Sequence, residues 1–226
     1  MSKQLGPVHY RMYEKIKEMD HKTELLLQDQ GESLRLLNQK VEPVSKEALD
    51  VILDQENIHG WLSSKIDQVE LRYAWALAQS REPLKKLEDY GKSLKLGAFS
   101  SPEELFQTLL DVTLDGMPCD GALAATTDGD GSLLLHMQKD THEKYVGHLE
   151  DTDPSESREK SCAGNHDHED HRAFHVQAGE SLPMEEGDER RSLFYRARGA
   201  FFKGLLTASN YGVKPLGKED FLFYRR

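Results

Sequence analysis

The chain has 226 residues, 37% of them hydrophobic and 31% charged, with a formal net charge of −11, enough to bury a core without disulfides or metal staples in one large or two small domains. Its acidic balance, with no Lys/Arg stripe interleaved with aromatics, excludes a nucleic-acid partner and disfavours an anionic membrane surface. No apolar run reaches the roughly eighteen residues of a bilayer span, and MSKQLGPVHY lacks the charged head and apolar region of a secretory signal, so a cytoplasmic protein is expected.

Gly6-Pro7 opens the first element, with proline at a position where its missing N–H costs nothing. Val8, Met12, Ile16, Met19 and Leu26 then recur at helical spacing and predict a helix over 7–28, with His9 and Tyr13 beside the stripe. Asp29-Gln30-Gly31 is a break, and a short helical piece with Leu34, Leu36 and Leu37 ends at Glu42-Pro43. From 46 to 80, with Ser45 as N-cap, Val51, Ile52, Ile58, Leu62, Ile66, Val69, Tyr73, Ala76 and Leu77 form one stripe. It predicts one continuous helix on the order of 50 Å long. Two long amphipathic helices joined by a short piece predict an antiparallel hairpin over 1–82 whose apolar edge suits a homodimer. Gly6-Pro7-Val8-His9-Tyr10 and Asn57-Ile58-His59-Gly60-Trp61-Leu62 resemble segments of a family of clostridial-type bacterial proteins with no assigned activity. The resemblance covers the helical half and implies a bacterial, cytoplasmic setting and no catalytic residue.

Residues 83–100, with Pro83, Gly91 and Gly97, read as a linker with at most one short helix. Ser101-Pro102-Glu103-Glu104 is a strong helix start, its buried face is Leu105, Phe106, Leu109, Leu110 and Leu114, and Gly116 with Pro118 stops it. Two short apolar runs, 122–126 and 132–137, flank Thr127-Asp128-Gly129-Asp130-Gly131 as a β-hairpin. Residues 142–187 read as a polar, partly disordered insertion. An amphipathic helix follows from about 189 through Phe194, Ala197, Phe201 and Leu205, and 219–226 reads as a strand able to join the hairpin's sheet. The expectation is an α+β protein, an N-terminal long helical hairpin followed by an α+β domain (101–226) whose helices pack on a small antiparallel sheet.

His59 lies in the long stripe beside Gly60, with Glu56 one turn earlier. A glycine inside a helix costs roughly 1 kcal/mol against alanine, which points to close approach of another backbone, a ligand or a bulky side chain. Glu56, His59, His9 and Cys119, which lies on an accessible turn between a helix and a strand, are the small-ligand candidates. The plainer alternative is a satisfied structural histidine and a small hydrophobic cysteine. Cys162, His166, His168, His171 and His175 carry donors that zinc or another transition metal accepts, in a pattern that also suits a solvated loop. Glu18/His21 and Glu56/His59 match the spacing of di-metal bundles without the two further glutamates. Asp128-x-Asp130-Gly131 lacks the rest of a calcium loop, and no Walker A, GxGxxG, GxSxG or HExxH string occurs. The expected function is a small-ligand or metal-binding protein, with catalysis left open and a pocket between hairpin and sheet. The alternative is a helical, homodimerising regulatory or structural protein without catalysis.

Overall fold

The computed structural model describes residues 5–54, 57–146 and 192–226. They form helices α1 (Pro7–Leu26), α2 (Gly31–Lys40), α3 (Leu49–Ile52), α4 (Ile58–Gln79), α5 (Pro83–Ser93), α6 (Pro102–Val112), α7 (Glu143–Val146) and α8 (Leu193–Leu205). Strands β1 (Leu123–Thr127), β2 (Leu133–Met137), β3 (Tyr211–Leu216) and β4 (Asp220–Arg225) make one antiparallel sheet in the order β1-β2-β4-β3. The fold class is therefore α+β, as the patterning predicts. The chain divides into two compact units: among the described residues the first holds 5–80, Asp111–Asp120 and 141–146, and the second holds Arg81–Leu110, Gly121–Asp140 and 192–226.

In the first unit α1 and α4 bury their predicted stripes against each other, including Met12, Ile16, Met19 and Leu26 from α1 and Leu62, Ile66, Val69 and Tyr73 from α4. Contacts pair His9 with His59, Tyr13 with Trp61, Asp20 with Arg72, and the Leu26 carbonyl with the Ser80 hydroxyl. Residue numbers rise together along both helices, so they run in the same direction rather than antiparallel. The return path makes this possible. Gln30 donates to the Gln79 carbonyl and Gln68 to the Glu42 carbonyl, so α2 runs back along α4. The chain beyond it continues back along α1: the Val44 amide donates to Asp20, the Tyr13 hydroxyl to the Ser45 carbonyl, and the Tyr10 hydroxyl to Asp50.

The 46–80 stretch is not one helix. α3 ends at Ile52 and α4 begins at Ile58, where Asn57 acts as N-cap and its side chain accepts the Gly60 amide at 3.1 Å. Asparagine competes for backbone groups and favours such a start over a helix interior. A Cβ at Gly60 would lie 2.3 Å from Asn57 Nδ2. That glycine makes room for its own helix's cap, and the apolar stripe hid the break.

The second unit corrects the linker expected at 83–100. α5 is a core helix: Glu82 adopts a positive φ of 52°, Pro83 opens the first turn, and Leu87 and Gly91 are buried. α5 packs on α8 through two glycines. A Cβ at Gly204 would sit 1.9 Å from the Glu88 carbonyl oxygen, and one at Gly91 would sit 2.4 Å from the Phe201 carbonyl oxygen. α6 starts as predicted, with Ser101 Oγ accepting the Glu104 amide at 3.3 Å and the Glu104 carboxylate accepting the Ser100 amide at 2.7 Å. The hairpin and the C-terminal strand also form where expected, and the β2–β4 register sets Leu133 opposite Phe223 and Leu135 opposite Phe221. Phe202 of α8 packs edge-on against Phe221 and Phe223. β3 is the unanticipated strand, an edge with Lys214 and Pro215 exposed; there proline loses no ladder bond and lysine opposes further pairing. The 142–187 insertion lies largely outside the described residues; of its first residues, His142 is buried and α7 follows it.

The glycine crossing makes a specific prediction. Gly204→Ala should destabilise the protein by about 1–3 kcal/mol, because backbone cannot yield to the new methyl and overpacking outweighs the roughly 1 kcal/mol gained in helix propensity. Gly199→Ala, whose Cβ would meet only the Phe221 ring edge at 3.2 Å, should be near neutral. Urea denaturation of both variants checks the contrast.

Candidate functional site

The densest set of buried titratable groups lies in the first unit. Glu70 follows Ile66 by four residues and precedes Tyr73 by three, so α4 carries its carboxylate on the same face as the apolar stripe. Asp115 lies just past α6 in a segment held against α1, where Arg11 pairs with Asp111 at 2.8 Å and Lys22 donates to the Val112 carbonyl at 2.8 Å. His142 immediately precedes α7, which is fastened to α4 because both Lys144 and the Tyr145 hydroxyl bond to Asp67. Burial, reinforced by that bond and by the charges of Asp67, Glu70 and Asp120, pushes the Tyr145 phenol well above its usual range.

These elements set the His142 ring between two carboxylates. Nδ1 lies 3.0 Å from each Glu70 oxygen, and Nε2 lies 3.1 Å from Asp115 Oδ1; the three side chains are 1%, 2% and 8% exposed, in the order His142, Glu70, Asp115. An ionised carboxylate only accepts hydrogen bonds, so a ring satisfying both partners must donate from both nitrogens, as an imidazolium. The array continues outward. Burial holds the half-buried Lys15 ammonium below its usual pKa; Asp115 and Asp111 oppose that effect, and Arg11 adds to it. Signs therefore alternate from the interior to the surface: Glu70, His142, Asp115, Lys15, Asp111, Arg11. This arrangement can store a proton between carboxylates, and an amine of lowered pKa lies beside it.

The ligand candidates read from sequence are placed as follows. His9 and His59 do come together, edge to face with ring centroids 5.6 Å apart. His9 is buried, and its Nδ1 accepts the Gly6 amide at 2.9 Å, which commits that nitrogen to the start of α1. Cys119 is exposed on a 3₁₀ turn, Pro118–Asp120. Glu56 and the proposed metal ligands Cys162, His166, His168, His171 and His175 lie outside the described residues. Among the described residues no group of three or more His, Cys, Asp or Glu side chains is arranged to hold a metal ion, and no helix is long and apolar enough to cross a membrane.

Two polar clusters belong to the second unit. In the hairpin turn the Ser132 amide donates to both Asp128 and Asp130, and burial together with Asp130 raises the Asp128 pKa. His136 Nδ1 lies 2.7 Å from Asp220 Oδ2, while Asp220 Oδ1 accepts the Met137 amide at 3.0 Å. Lys15, Asp115 and His142 were not singled out from sequence. The available signal was Glu70, a carboxylate inside an apolar stripe, which requires a buried partner.

Compared with known proteins, the chain matches no family model, no curated protein and no solved structure.

Lys15 carries the pH prediction. Its folded pKa is depressed below the usual 10.5, so between the two values the unfolded state binds more protons and stability rises with pH. At neutral pH its charge is a net cost. Lys15→Met should therefore raise the melting temperature at about pH 7, with the advantage shrinking as pH approaches about 10; scanning fluorimetry across that range checks the sign.

Proposed function

We propose that the protein binds a small ligand at the outer end of the buried array, with Lys15 and Asp115 as its contacts and His142 and Glu70 behind them. The observation that carries this reading is the buried contact of His142 with Glu70 at 3.0 Å and Asp115 at 3.1 Å, with the Lys15 amine, lowered by burial, beside it; titratable groups packed this way concentrate at functional sites. A ligand suited to this pair supplies an anionic or carbonyl oxygen to the amine and an N–H or O–H donor to Asp115. Small amino acids and hydroxy acids have that chemistry. Catalysis by proton transfer is an extension of the same site, because Asp115 also touches His142. A bacterial, cytoplasmic setting accompanies the proposal, supported by the GPVHY and NIHGWL segments.

The experiment is a thermal-shift and calorimetric screen of small amino and hydroxy acids. A true ligand at a hundred times its Kd should stabilise the protein by about 2.7 kcal/mol, and Lys15→Met or Asp115→Asn should abolish the effect. Failure of the whole panel, or undiminished binding by Lys15→Met, overturns the proposal.

A second reading, partner binding or homodimerisation through the helical unit, is favoured by one patch. Val51 is 72% exposed, Tyr10 and Val8 also lie open, and the Tyr10 hydroxyl bonds to Asp50 beside Val51. Concentration-dependent mass in solution, lost in Val51→Asp, is the expected outcome if this surface associates. The histidine-rich stretch 162–175 adds, in this proposal, weak transition-metal binding, so zinc should change the melting temperature little.

A further inference from the structure

The first unit is assembled from three separate stretches of chain, and one side chain touches the other two: His142, in the third stretch, meets Glu70 in the first and Asp115 in the second. We infer that His142 is a proton-operated latch, which holds the 141–146 segment and the 111–120 segment on α4 while its ring carries two protons and releases them when it carries one. The inference does not depend on any ligand at Lys15.

The argument is one of donors and acceptors. With Glu70 and Asp115 ionised, a doubly protonated ring donates to both and carries a charge opposite to each. Once one proton leaves, one ring nitrogen presents a lone pair to a carboxylate at about 3 Å, a repulsive contact with almost no water to soften it. The penalty falls on the segment that carries α7, a helix of four residues, Glu143–Val146. Among the described residues, Lys144 and Tyr145 also tie it to α4 through Asp67.

Among the described residues, the charged and titratable groups around the latch include Glu70 and Asp67 on α4, Asp115 and Asp120 on the 111–120 segment, Lys15 on α1, and Lys144 and Tyr145 on α7. A ring that gains its partners on folding contributes stability in its protonated form and loses that contribution as pH rises through its deprotonation.

Amide exchange in the intact chain tests the latch, with rates corrected for their intrinsic pH dependence. From about pH 6 to about pH 9, protection in 111–120 and 141–146 should fall at least about tenfold, while α8 changes less than about twofold. His142→Gln should leave both segments weakly protected at either pH. Asp115→Asn separates the latch from ordinary packing: its carboxamide donates to a neutral ring, so docking should persist at both values and the pH dependence should vanish. Imidazole nitrogen shifts in the unmodified protein supply a reading that needs no variant, with both ring nitrogens protonated in the docked state. A neutral ring in the docked state, protection in the wild type that ignores pH, or an Asp115→Asn protein that keeps the wild-type dependence would each overturn the inference.

Discussion

The contact between Asp20 and Arg72 constrains the first unit more than any other. Arg72 is fully buried; its Nε meets Asp20 Oδ1 at 2.6 Å and its Nη1 donates to the Val41 carbonyl at 2.5 Å. Asp20 Oδ2 then accepts the Val44 amide at 2.9 Å. One ion pair thus ties α1, α4 and the returning chain at the same level, and its hydrogen bonds offset part of the desolvation, Arg72 Nη2 being buried without a hydrogen-bond partner among the described residues. Losing either partner of such a pair costs on the order of 3–5 kcal/mol, because the survivor is left charged and dry. The return segment between the two parallel helices passes beside both and lends the Val41 carbonyl and the Val44 amide to the pair.

The alternating charges from Glu70 to Arg11 repeat that logic on a gradient. At the inner end the side chains of His142 and Glu70 are nearly inaccessible, whereas Arg11 and Asp111 are about half exposed. Exposed pairs of the Arg11–Asp111 kind are worth little individually. Inward, each removal leaves a larger unpaid desolvation, so the array's stability is concentrated at His142 and its sensitivity to substitution rises along the same direction.

Local signals were legible and non-local ones were not. Ser101 to Glu104 determine the start of α6 within four residues, and the Asp-Gly-rich turn sets the hairpin, so both are placed correctly from sequence alone. Asn57 is compatible with a helix interior until its side chain is seen on the Gly60 amide, which is why an unbroken stripe concealed two helices. Pro83 and Gly91 read as breakers because their partners are remote: proline serves the first turn of α5, and the glycine is matched to a backbone more than a hundred residues later. His142 has no local pattern at all, since its meaning comes from Glu70 and Asp115, which lie 72 and 27 residues away. The direction of α1 relative to α4 depends on the route of residues 27–57, which periodicity does not encode.

The paired glycines of α5 and α8 also limit how the second unit can move. With Gly204 set against the Glu88 carbonyl and Gly91 against the Phe201 carbonyl, the two backbones interlock at these points, while Tyr90 stacks on Phe201 and Lys203 pairs with Glu88 across the same helices. Backbone in direct contact at two points resists the small sliding steps by which packed helices commonly shear. A displacement reaching α5 would therefore be passed on to α8.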